Sequence, residues 1–143
     1  MTAPKKIAHI GIAVKSLEET LSFYTEHLGL KLLGTEVVPS EQVKVAFLEI
    51  GESRIELLEP LTSESAIAKF IEKRGEGIHH IALDVEDVQA RLDRLKEDGV
   101  PLIHEQPKEG AHNAMIAFLH PKAAHGVLYE LCQYPSKGEE HLD

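Results

Sequence analysis

The chain has 143 residues, 43 % of them hydrophobic, and a formal net charge of −9. That length suits one compact domain and that apolar share can build a core, which excludes wholesale disorder, while the acidic balance argues against nucleic acid and still allows an anionic small molecule at a few local lysines. One cysteine, Cys132, excludes an intrachain disulfide framework; with neither a signal peptide nor an apolar run of membrane-spanning length in view, the expected compartment is the cytoplasm.

The first element is Ala8-His9-Ile10-Gly11-Ile12-Ala13-Val14, whose β-branched alternation predicts a strand. Ser16 then offers a helix cap with Glu19 three residues on, a capping box. Leu17, Leu21, Tyr24 and Leu28 recur at helical spacing, and Gly29 ends the helix. Strands follow over Lys31–Val38, Val43–Ile50 and Arg54–Glu59, and a third helix, roughly Ser65 to Lys73, leads onward. His79-His80-Ile81-Ala82-Leu83-Asp84-Val85 is another alternating strand. Asp87 caps a helix with Val88, Leu92 and Leu95 as its stripe, ended by Gly99-Val100-Pro101. Strands are expected over Leu102–Glu105, Ala114–Leu119 and Gly126–Gln133, then a polar, frayed tail, 136–143.

The chain repeats itself. Aligning His9 with His80 sets an offset of 71 residues, and at that offset Ala46-Phe47-Leu48 falls on the identical Ala117-Phe118-Leu119. Three residues beyond it, Glu56 in Ile55-Glu56-Leu57 falls on Glu130 in Tyr129-Glu130-Leu131, with the insertion in the turn from Pro121 to Gly126. The predicted fold is therefore α+β: two βαβββ modules pairing into a curved sheet around a metal-binding cavity. Module one is 6–62, a linker helix spans about 63–76, and module two is 77–135, together one domain over 6–135.

Alternation puts His9, Gly11 and Ala13 on one face of the first strand, and His80, Ala82 and Asp84 on one face of its counterpart, with the aliphatic faces left for the helices. Glu56 and Glu130 sit inside apolar runs. A solvated face is one reading of that pattern; a buried carboxylate, by contrast, needs a partner or a metal. Symmetric placement of four ligand-type residues favours one divalent ion held by His9, Glu56, His80 and Glu130. Such a donor set leaves two cis positions and suits Co²⁺ first, with Zn²⁺, Ni²⁺ or Mn²⁺ as alternatives. His79 faces away from His80, and His27, His104, His112, His120, His125 and His141 have no matched partners. Cys132 reads as core.

These stretches, with Ile55-Glu56-Leu57-Leu58-Glu59-Pro60-Leu61, Phe118-Leu119-His120-Pro121-Lys122 and Gly126-Val127-Leu128-Tyr129-Glu130-Leu131, resemble the vicinal-oxygen-chelate superfamily. Within it the chain is most similar to the methylmalonyl-CoA epimerases, from about Lys6 to Pro135. The resemblance implies an isomerase acting on an acyl-CoA through a metal-stabilised enolate, with Glu41 as its acid/base group. Here the glycine usual after the loop's Gln is absent, since Gln42 is followed directly by Val43. Lys122 is a candidate contact for CoA phosphates. A homodimer is expected. The competing readings are a glyoxalase I-type lyase acting on a thiol hemithioacetal of methylglyoxal, and a metal-free protein that binds and sequesters a small molecule.

Overall fold

The computed structural model describes residues 2–135; the tail 136–143, with His141, lies outside the described residues. The chain divides into two compact units, one from His9 to His79 and the other joining the residues up to Ala8 with those from His80 onward.

The strands of the first unit are β1 (Lys6–Ala13, from His9 on), β2 (Lys31–Val38), β3 (Val43–Ile50) and β4 (Ser53–Pro60), in the order β2-β3-β4-β1. β2–β3 and β3–β4 are antiparallel, whereas β1 runs parallel to β4. The parallel pair needs the whole module as its crossover, which is what the helix and two hairpins between them supply. Helix α1 (Leu17–Ser22) starts where predicted, Ser16 Oγ accepting from the Glu19 N–H at 3.2 Å. Val14, Leu17, Ala46, Leu48 and Leu57 form the buried cluster between helix and sheet. One expectation fails here. Leu28 is 54 % exposed, because the helix continues as a π-turn over Phe23–His27 closed by Leu28 N–H to Phe23 C=O at 3.0 Å. The extra residue in that turn rotates Leu28 off the buried stripe, and Leu30 packs against the cluster instead. Helix α2 (Ala66–Arg74) is capped by Ser65, whose Oγ accepts from Ala68 N–H at 3.0 Å.

The second unit orders its strands β5-β8-β7-β6: β5 (Gly77–Asp84, from His80 on), β8 (Tyr129–Gln133), β7 (Met115–Phe118) and the two-residue β6 (Lys108–Glu109). β5 and β8 are parallel; the others are antiparallel. Helix α3 (Val88–Glu97) is capped by Asp87 Oδ1 from Ala90 N–H at 3.0 Å, and Val88 and Leu92 pack with Val85, Ala117 and Leu131. On the opposite face, Ala8, Ala82, Ala114, Ile116 and Cys132 form a second cluster, so Cys132 is core as expected.

The expected strand Leu102–Glu105 is not one. Leu102 makes only an isolated bridge to Leu119. Beside it the His104 side chain replaces a backbone acceptor, its Nδ1 taking the Phe118 N–H at 3.0 Å, while the N–H groups of Ile103 and His104 both turn to Phe118 C=O. The last strand likewise starts at Tyr129, not Gly126, because His125 and Gly126 adopt positive φ and turn the chain.

Candidate active site

Both units carry one arrangement. In the first, the parallel register sets Gly11 beside Glu56, and the antiparallel register sets Phe47 on its other side. In the second, Ala82 stands beside Glu130 and Phe118 on its other side. The repeat read from the sequence is thus reproduced at three matched strands of each unit. His9, two residues before Gly11, brings Nδ1 to 3.0 Å from Glu56 Oε2. His80, two residues before Ala82, brings Nε2 to 3.1 Å from Glu130 Oε1. The Phe118 ring stands edge-on to His80 at 5.4 Å between centroids.

All four side chains are buried, at 5 % to 6 % exposure. A buried carboxylate is stable only beside positive charge or strong donors. Donors about 2.0–2.2 Å from an octahedral ion lie about 3.0 Å from their cis neighbours, so each His–Glu pair has the spacing of two adjacent ligands. The donor set and its geometry within each unit therefore fit a divalent ion.

A residue the sequence reading passed over completes the first pair. Arg54, 9 % exposed, donates from Nη2 at 3.1 Å and from Nε at 3.2 Å to Glu56 Oε2, with its guanidinium 6.0 Å from the centre of the Phe47 ring. The signal was present: Arg54 shares a strand face with Glu56 by simple alternation.

Glu41 ends a single 3₁₀ turn, Pro39–Glu41, between β2 and β3. It is half-buried, with Oε2 shielded from solvent, rather than an ordinary exposed loop carboxylate. Gln42 itself adopts the left-handed conformation at φ 55° and ψ 46°, the conformation a glycine takes without strain. The turn is pinned through Gln42. Its N–H donates to Pro39 C=O at 3.1 Å, its C=O accepts from Leu61 N–H at 2.8 Å, and its side-chain oxygen accepts from Thr62 Oγ1.

A family model described as the glyoxalase/bleomycin resistance protein/dioxygenase superfamily matches residues 8–118. The chain belongs to that superfamily. An ethylmalonyl-CoA/methylmalonyl-CoA epimerase of Cereibacter sphaeroides is 42 % identical over 90 % of this chain and 97 % of its own length. A crystal structure of a hypothetical protein from Bacillus halodurans is 58 % identical, covers 92 % of this chain and 96 % of its own, and superposes with a TM-score of 0.90. A Streptomyces coelicolor methylmalonyl-CoA epimerase in complex with 2-nitronate-propionyl-CoA is 38 % identical, covers 94 % and 97 %, and superposes with a TM-score of 0.89. The architecture is accordingly the vicinal-oxygen-chelate fold, and close relatives and structural neighbours are methylmalonyl-CoA epimerases.

Among the remaining candidates, His79 stacks edge-on against Phe70 at 4.9 Å, a packing role. His120 caps the turn Pro121–Ala124 by accepting from the Lys122 N–H at 3.0 Å. Lys122 is exposed and borders an open depression of about 550 Å³ with Gly99, Val100, Pro101 and Ala123. No helix among the described residues is long and apolar enough to cross a membrane.

Proposed function

We propose that this chain is a metal-dependent epimerase interconverting (R)- and (S)-methylmalonyl-CoA. The observation that carries the reading is the buried His–Glu pair built at the same register in each repeat, in a chain whose full-length relatives include an ethylmalonyl-CoA/methylmalonyl-CoA epimerase. His9, Glu56, His80 and Glu130 hold one divalent ion, Co²⁺ by preference, within one domain over 6–135. The working form is a cytoplasmic homodimer.

The substrate α-carbon lies between a thioester and a carboxylate, and its proton is still too weakly acidic for a free carboxylate of pKa about 4.3 to remove quickly. The bound ion would supply Lewis-acid stabilisation of the negative charge that develops on the thioester oxygen. Glu41 takes or gives the α-proton on one face of the planar carbon, and the pinned turn holds its carboxylate in place. Lys122 offers its ammonium to the CoA phosphates from its exposed turn.

The test is inversion of a single methylmalonyl-CoA epimer by protein stripped with chelator and then reloaded with Co²⁺, run beside the glutathione hemithioacetal of methylglyoxal. Activity restored by Co²⁺ on the acyl-CoA alone is expected. Turnover of the hemithioacetal alone would make the chain a glyoxalase, and turnover of neither would leave a binding protein.

A further inference from the structure

Glu56 and Glu130 occupy equivalent places, yet their surroundings differ. The residue two before Glu56 is Arg54, whereas the residue two before Glu130 is the aliphatic Leu128. Arg54 is a fully charged group at any accessible pH, and it sits 9 % exposed on β4, in register with His9 on β1 and Glu49 on β3. Burying a guanidinium is costly unless its charge meets another. Here two of its N–H groups donate to Glu56 Oε2, and that same oxygen faces His9 Nδ1 at 3.0 Å. The Phe47 ring centre lies 6.0 Å from the guanidinium carbon, at the outer range of a cation–π contact.

We propose that Arg54 is a positioning residue that serves as the resident counter-cation of Glu56, holding its carboxylate aimed when no metal is bound and yielding part of that role when a divalent ion arrives. Glu56 is thereby kept in the conformation a ligand needs, at the expense of some competition with the incoming ion. A carboxylate already compensated by a guanidinium also neutralises less of a bound ion's charge, leaving more of it for a substrate oxygen. The metal-free part of the inference stands on the buried pair alone; the metal-bound part rests on the function proposed above.

The experiment is a double-mutant cycle read by thermal melting and by Co²⁺ titration, with Arg54→Met, Glu56→Gln and the double variant. In chelator, Arg54→Met should melt well below the wild type because it strands a buried carboxylate, and adding Glu56→Gln should recover most of the loss. A packing role for Arg54 against Phe47 would instead leave the double variant as unstable as Arg54→Met, which would overturn the proposal. Should Arg54→Met not fold, its rescue by Glu56→Gln remains the supporting result, and failure of both to fold the opposing one. Arg54→Lys, which keeps the charge and loses the fork, should fall between wild type and Arg54→Met. On adding Co²⁺, Arg54→Met should show a larger upward shift in melting temperature than the wild type, since the ion replaces the missing charge. An equal or smaller shift would overturn the competition. Rescue in chelator with no Co²⁺ shift in any variant, wild type included, would support the counter-cation and refute the metal site instead.

Discussion

Replacing Glu41 by Gln removes a base and keeps the side chain's shape. The amide has nearly the volume of the carboxylate, and the backbone of the turn is fixed by bonds that do not involve the Glu41 side chain, from Gln42 N–H to Pro39 C=O at 3.1 Å and from Leu61 N–H to Gln42 C=O at 2.8 Å. The side chain's volume and the turn's backbone bonds are kept, so the melting temperature should stay close to that of the wild type. Loss of a general base costs ~10²–10⁴ in rate, or about 2.7–5.4 kcal/mol of barrier. The assay has three readouts on one sample: metal per chain, melting temperature, and inversion of a single methylmalonyl-CoA epimer. Unchanged metal and melting with turnover down by that factor is the expected pattern. Wild-type turnover would place the proton transfer on another residue, and loss of metal would make Glu41 part of the support of the ligand set.

His80→Ala should lower Co²⁺ occupancy far more than His79→Ala, whose ring packs on Phe70; equal losses, measured by elemental analysis, would contradict the strand phase. Asp87→Ala removes the α3 cap and should cost about 1 kcal/mol, or roughly 3–4 °C in melting temperature by calorimetry. Sedimentation at micromolar concentration should give a dimer, and a monomer there would refute the proposed assembly.

Much of this was readable because two chemistries coincide in the sequence. His9 and His80 head matching alternating strands, and Glu56 and Glu130 sit at matched positions in apolar runs; the registers Gly11–Glu56 and Ala82–Glu130 reproduce that match in space. Helix starts at Ser16, Ser65 and Asp87 were equally legible, since a cap is a local hydrogen bond. What escaped depended on distant contacts or altered phase. The π-turn that exposes Leu28 leaves no mark on a 3.6-residue pattern. Leu102–Glu105 has strand-like residues, yet His104 satisfies Phe118 with a side chain rather than a ladder. Arg54 lies on the Glu56 face by alternation, but a charged residue near a turn reads as solvent-facing until the strand is seen to bury it.

The central claim is proton exchange at an α-carbon under control of a bound ion, and proton NMR of methylmalonyl-CoA in D₂O tests it most directly. With Co²⁺-loaded protein, the methyl doublet should collapse as the α-position takes up deuterium faster than in buffer alone, and chelator should abolish that difference. No protein-dependent exchange, or exchange at the same rate after the metal has been stripped, would contradict the account.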